Sequence, residues 1–245
     1  MEINILGNNH SILDQYLAEI RDESIQKDPL RFRENLYRIG ELFAYEISKE
    51  LEFTVNDIIT PLGIAKVPVL KNQPVLATIL RAGLPMHNGL LKIFDRAENC
   101  FISAYRKYTK KGGFEIEFEY MASPSLENKV VILSDPMLAS GKSMEIGYRA
   151  LFSKGKPSHV HLASIISSQQ GVDYVVENIN DKTCSICMDN FEEPVSLPCT
   201  HVFCTFCIIN HIKFSNSDIK CPTCRTPFKP SNVIQIKDKI NTHIL

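Results

Sequence analysis

The feature that most constrains this chain is a run of metal-type ligands between positions 184 and 224. Cys184, Cys187, Cys199, His201, Cys204, Cys207, Cys221 and Cys224 follow the pattern CxxC, eleven residues, CxH, two residues, CxxC, thirteen residues, CxxC. Seven of the eight cysteines fall here, and only Cys100 lies earlier. Thiolate and imidazole bind zinc without geometric penalty and structural sites fill four ligands at a time, so eight such ligands predict two structural Zn²⁺ ions. Disulfides would need an oxidising compartment. The N-terminal MEINILGNNHSILDQ has no basic segment followed by an apolar one, and no run of eighteen apolar residues occurs, so the chain is expected to be cytoplasmic with no membrane partner. Charge is balanced, 27 Lys and Arg against 28 Asp and Glu, which gives no field for nucleic acid.

The chain ahead of this run reads differently. Residues 28–51 carry Phe32, Leu36, Ile39, Leu42, Phe43, Ile47 and Leu51 at steps of three and four, the pattern of a helix with one buried face. FTVNDIITPLGIAKVPVL alternates around a Pro61 to Gly63 turn and predicts a hairpin, an arm suited to cover by a partner subunit. Buried strands are expected in PVLATIL, FISAY, KVVILS and HVHLASIISS, with helical stretches from about Leu84 and Lys142, and a half-wet strand in FEIEFEYM. Strands alternating with helices imply an α/β fold with a mostly parallel sheet, whose ligands sit at the carboxyl ends of the strands.

The loop after VVIL is the best ligand site in this half. A strand ending in Ser134 and Asp135 turns through PMLASG into a helix near Lys142, which aims several backbone N–H groups and a helix dipole at one point. That is a phosphate cradle, although the same residues also suit an ordinary capped turn. Gly141, Lys142 and Ser143 fit the end of a nucleoside-triphosphate loop, but the required first glycine is Pro136, which excludes that reading.

VVILSDPMLASGKS resembles the phosphoribosyl pyrophosphate signature of type I phosphoribosyltransferases. With LATILRAGLPMHNGLL, FISAYRK, EYMASP and HLASIISSQQGVDYV in the same order, the chain is similar to uracil phosphoribosyltransferases across about residues 10–178. The resemblance implies that Asp135 holds the ribose hydroxyls, that Pro136, Met137, Leu138, Ala139, Ser140, Gly141, Lys142 and Ser143 wrap the 5′-phosphate, and that Arg81 and Arg106 face the pyrophosphate, with Mg²⁺ accompanying the substrate. Arginines suit such multi-oxygen anions. Lys142 stands where the family has a small residue, and Ser140 where it has threonine. After QQGVDYVVENI the family continues with a further strand, a return segment and a glycine- and aspartate-rich loop that recognises uracil. None of these is read in residues 179–245.

The zinc pattern in turn resembles a RING finger. This implies interleaved sites, Cys184, Cys187, Cys204 and Cys207 on one ion and Cys199, His201, Cys221 and Cys224 on the other. The resemblance also places Ile186 and Pro222 in a groove for a ubiquitin-conjugating enzyme, with Arg225 as the residue bridging that enzyme and ubiquitin. His211 replaces a frequent tryptophan there, and the chain has none.

The expected organisation is therefore an α/β phosphoribosyltransferase-like domain over 1–178 lacking its base-binding segment, a linker at 179–183, a small two-zinc RING domain at 184–228 and a tail at 229–245. Val233, Ile236, Ile240 and Ile244, at three- and four-residue steps, suggest that the tail is a helix packing on the zinc module or pairing with another copy. Three functions follow. The missing uracil segment and Arg225 favour a RING-type ubiquitin ligase on a phosphoribosyl pyrophosphate-binding platform, itself expected to be a homo-oligomer. The alternatives are an active uracil phosphoribosyltransferase with a zinc appendage, and a zinc interaction module without catalysis.

Overall fold

The computed structural model describes residues 2–109, 113–179, 184, 186–187, 192–198, 202–215, 219–222, 226–235 and 241–244. The chain forms two compact units, Met1–Ile179 together with Ile240–Leu245, and Asn180–Lys239. In the first unit, β1 (Glu2–Asn4), α1 (Ile12–Arg21), α2 (Pro29–Ser48), β2 (Phe53–Thr60), β3 (Gly63–Leu70), β4 (Val75–Leu80), α3 (Leu84–Ile93), β5 (Glu98–Thr109) and β6 (Gly113–Ala122) come first. They are followed by β7 (Val130–Ser134), β8 (Met137–Leu138), α4 (Lys142–Leu151), β9 (His159–Ser164), β10 (Ile166–Ser167) and α5 (Gln169–Ile179). The second unit holds β11 (Pro194–Ser196), β12 (Val202–Cys204), α6 (Thr205–Phe214) and β13 (Ile234–Gln235), after which the chain returns to the first unit as β14 (Asn241–Ile244).

The main sheet has the order β1-β14-β9-β7-β4-β5-β6, parallel throughout except for the antiparallel β5–β6 pair. The period-two alternation of its strands divides the core into two layers. Val75, Ala77, Ile79, Val131 and Leu133 pack with Met144, Tyr148, Leu151, Val175 and Ile179 of α4 and α5. Leu76 and Ile132 pack on the other face with Leu36, Ile39, Phe43 and Ile47 of α2 and Met86 and Leu90 of α3. Close crossing of α2 and α3 depends on glycine, since a Cβ on Gly89 would lie 2.0 Å from the Tyr37 carbonyl oxygen.

α1 is a helix that the amino-acid pattern did not lead us to expect. Ser11 and Asp14 form its capping box, and buried Glu19 pins it to α2 by accepting bonds from Arg31 Nε at 2.7 Å and Asn35 Nδ2 at 2.7 Å. The hairpin forms as expected: Thr60 pairs with Gly63, whose φ of +131° requires glycine. Its two strands are mostly exposed.

The tail departs from expectation. Instead of one helix, residues 234–235 pair with β11 and residues 241–244 enter the main sheet between β1 and β9. Apolar steps of three and four are also produced by two short strands separated by a few residues, so spacing alone could not choose. Val233 packs on the small core of the zinc unit, while Ile236 and Ile240 lie outside the described residues. β14 is also a strand following α5, which the reading of residues 179–245 did not find.

Candidate functional site

The carboxyl ends of β4 and β7 lie side by side, with Thr78 opposite Ser134. Two short loops therefore open on the same edge of the sheet. After β4 the chain turns through Arg81, Ala82 and Gly83 into α3. A Cβ on Gly83 would meet Thr78 Oγ1 at 2.1 Å and the Ile79 carbonyl oxygen at 2.7 Å, so the turn that presents exposed Arg81 needs glycine at Gly83. β5 flanks β4, and Ser103 pairs with Leu80. Arg106 lies three residues further along β5, beyond the end of β4, and pairs in register with Ile116.

The loop after β7 is anchored along its length. The Asp135 N–H donates to the Ala163 carbonyl at 3.0 Å, and the Pro136 carbonyl accepts from the N–H groups of Ile165 at 3.2 Å and Ile166 at 3.0 Å. β8 then runs parallel to β10, with Met137 opposite Ile166 and Leu138 opposite Ser167. Ser168 Oγ donates to the Ala139 carbonyl at 2.5 Å. Gly141, at φ +76°, makes the left-handed step that swings the chain into α4 at Lys142. The first-turn N–H groups of α4, at Lys142 and Ser143, have no intrahelical acceptor and carry the positive end of the helix dipole. An arrangement of this kind can hold an anion beside a carboxylate.

That carboxylate is Asp135. It is partly buried, and burial pushes it up from the ordinary range to about 6, against the Met137 N–H that donates to Oδ1 at 3.4 Å. In the free protein Asp135 is held at a desolvation cost with one weak hydrogen bond. A carboxylate raised by burial at the end of a strand is a candidate site group.

The structure thus brings Arg81, Asp135 and residues 136–143 to one edge. Lys142 sits exposed at the start of α4. The residues missed in sequence are those behind the loop, Ser168 ahead of α5 and Gly171 and Tyr174 in its first turns. A serine just ahead of a helical run and a glycine inside it were the available signal.

In the second unit Cys184, Cys187, Cys204 and Cys207 present sulfurs within 4.8 Å of one another, and Cys187 Sγ and Cys204 Sγ are 3.9 Å apart. Tetrahedral Zn–S bonds of about 2.3 Å place sulfurs roughly 3.8 Å apart, so the set fits one zinc ion. The Cys204 N–H donates to Cys184 Sγ at 3.4 Å and the Glu192 N–H to Cys204 Sγ at 3.2 Å, bonds suited to thiolate charge. Although burial opposes it, N–H donors from Cys187, Cys204 and Ile186 bring the Cys184 thiol down to about 7. Of the other expected set, Cys221 is buried beside this core, while Cys199, His201 and Cys224 lie outside the described residues, as does Arg225. Ile186 and Pro222 come together in a shallow groove with Phe206 and Phe214, and His211 Nε2 donates to the Lys220 carbonyl at 2.8 Å.

Comparison with known proteins separates the two units. A family model described as uracil phosphoribosyltransferase matches residues 7–190, and one described as a C3HC4-type zinc finger (RING finger) matches residues 184–224. The chain is similar to a uracil phosphoribosyltransferase of Porphyromonas gingivalis, 54% identical over 183 residues that cover 75% of this chain and 85% of that one. It is also similar to one from Methanothermobacter thermautotrophicus, 35% identical over 189 residues covering 76% and 85%. Among solved structures, the AQ2163 protein of Aquifex aeolicus superposes with a TM-score of 0.62 at 25% identity, covering 71% of this chain and 81% of that one.

These relatives overturn the ubiquitin-ligase expectation. Identity of 54% across three-quarters of the chain is to a uracil phosphoribosyltransferase, and it outweighs the absence of a recognisable uracil segment after residue 179. A groove around a zinc site is ordinary packing unless a partner is shown, and neither a conjugating enzyme nor ubiquitin is supported as a partner.

Proposed function

Because the chain belongs to the uracil phosphoribosyltransferase family, we propose that it transfers the phosphoribosyl group of phosphoribosyl pyrophosphate to uracil, a pyrimidine salvage reaction. N1 of the base bonds to the anomeric carbon, the bond from that carbon to the pyrophosphate oxygen breaks, and the N1 proton leaves to solvent. No protein nucleophile is required, so the protein's work is to position reactants and neutralise the departing anion.

The observation that carries this reading is the loop from Ser134 to Ser143. Asp135 accepts hydrogen bonds from the ribose hydroxyls, the end of the loop from Ala139 to Ser143 holds the 5′-phosphate through its N–H groups at the start of α4, and Arg81 and Arg106 face the pyrophosphate. Mg²⁺, when bound with the substrate, would supply neutralisation of the departing anion, and it would be held largely by substrate oxygens and its own waters rather than by side chains of this chain. A cost of desolvating Asp135 in the free protein, set against bonds formed only with the sugar, favours this assignment. A homo-oligomer is favoured by the β2–β3 hairpin, which exposes Ile59, Leu62 and Ile64 at 88%, 100% and 72%. Ile59→Asp is expected to lower the oligomeric state in light scattering.

The test is chromatographic detection of uridine monophosphate from uracil, phosphoribosyl pyrophosphate and Mg²⁺. Product formed by the intact chain and lost with Asp135→Asn is expected; no product and no calorimetric heat with phosphoribosyl pyrophosphate would remove this function.

A further inference from the structure

We infer that Tyr174 is a positioning residue for the phosphate cradle, acting through Glu145; this rests on the transferase reading above. The first turns of α5 are wedged against the loop with no room to spare. A Cβ on Gly171 would lie 2.5 Å from the Leu138 carbonyl oxygen, and one on Gly141 would lie 2.8 Å from both the Gly171 carbonyl oxygen and the Tyr174 ring. Tyr174 Oη donates to Glu145 Oε2 at 2.6 Å, Arg149 Nε donates to Glu145 Oε1 at 2.8 Å, and Arg149 in turn donates to the Asn178 carbonyl at 3.0 Å.

Glu145 stands in the first turn of α4. A carboxylate there competes with a phosphate for the same N–H groups and helix dipole. Tyr174 and Arg149 engage both its oxygens and hold its charge on the α5 side, which leaves the cradle to the substrate. Removing the Tyr174 hydroxyl frees one oxygen to turn toward the helix end. The loss falls on binding of phosphoribosyl pyrophosphate in ground and transition states alike, so it shows in KM rather than kcat.

Tyr174→Phe is expected to raise KM for phosphoribosyl pyrophosphate about tenfold with kcat near that of the parent, the scale of one hydrogen bond to a charged group. Tyr174→Phe combined with Glu145→Gln is expected to recover KM, since the competing charge is gone; a packing role for Tyr174 would not be rescued this way. Unchanged KM in Tyr174→Phe, or no recovery in the double variant, overturns the inference while the parent's turnover stands. An inactive parent that binds no phosphoribosyl pyrophosphate overturns the transferase reading and this one together.

Strand order carries a second, independent inference. β14 fills the main sheet between β9 and β1, with Thr242 opposite Leu162 and Asn241 opposite Glu2. The chain reaches it only after leaving at Ile179 and building the zinc unit of Asn180–Lys239. We propose that zinc occupancy sets how firmly β14 docks on β9. The cysteine set joins Cys184 to Cys207, and β13 ties Gln235 back to Val195. With both in place, the length of chain over which docking must be closed falls from about sixty residues to about ten, and closure probability, scaling as the −3/2 power of length, rises roughly tenfold.

Hydrogen exchange on the intact chain, with zinc and after chelation, tests this. Peptides covering 159–164 are expected to exchange about tenfold faster without zinc, with those covering 75–80 unchanged. Thr242→Pro, which breaks β14 without touching a ligand, is expected to accelerate the same peptides at least as much while zinc content stays at the parent's level. Equal protection of 159–164 with and without zinc, parallel loss in 75–80, or an unaffected Thr242→Pro chain each overturns it.

Discussion

The two units reach stability by opposite routes. The first buries two apolar layers on a seven-stranded sheet, with Phe43, Ile39, Ile47, Leu76, Ile132 and Leu133 fully enclosed. In the second, the described core is Val195, Leu197, Phe203 and Ile208 with Cys184, Cys204 and Cys221, so thiols occupy positions that a larger domain fills with aliphatic side chains. Phe206 and Phe214 stay outside, 72% and 86% exposed. A core of this size does not offset chain entropy unaided. Metal binding is therefore expected to supply most of the folding free energy of this unit.

Removing zinc should break this contrast most strongly. Structural zinc sites contribute on the order of 10 kcal/mol, so chelation, or Cys207→Ser, is expected to unfold the 180–239 unit. Thiol titration and near-ultraviolet circular dichroism would show this, with the cooperative melting of the first unit retained. The converse is Phe43→Ala, which opens a cavity between α2 and the sheet. It should cost about 3–5 kcal/mol in denaturant unfolding of the first unit and leave zinc content unaltered.

Asp135 sharpens the comparison at the site. Its carboxyl is raised from 3.8 to about 6, so the stability it contributes is fully present below about pH 3.8 and lost as pH rises through about 6. At neutral pH the free protein bears a cost of up to about 3 kcal/mol for the buried charge. Asp135→Asn is thus expected to raise the melting temperature of the free protein at pH 7.5 while lowering turnover by about a hundredfold or more. A fall in melting temperature would show that the carboxylate is structural.

The smallest effect belongs to Glu19, whose bonds from Arg31, Asn35 and Gln15 hold it down to about 2. Its contribution is present above about 4.5 and lost as pH falls toward 2. Glu19→Gln should flatten the acid side of the stability profile over that window and loosen α1 in hydrogen exchange.

Legibility followed the range of the interactions. The continuous apolar runs in Val75–Leu80 and Val130–Ser134, the steps of three and four in α2, and the turn at Gly63 are local patterns, and each formed the element expected. The loop from Asp135 to Ser143 was visible because strand, turn and helix lie within one short stretch. α1 was overlooked although Ser11 and Asp14 signalled its start. The groove residues Ile186 and Pro222 did come together, yet the ligase function drawn from them did not stand, since residue proximity says nothing about a partner.

What the amino-acid order determined by itself was held in short-range spacing: the CxxC ligand pairs, the strand, turn and helix around Asp135, and the buried apolar runs of the central strands. Only the tertiary structure decided that Tyr174 and Gly171 back the cradle and that residues 241–244 rejoin the sheet beside β9. Backbone pairing in a sheet is indifferent to side-chain identity. A four-residue strand that follows residues 180–239 in the chain is selected by the open edge it meets, and no local pattern encodes that edge.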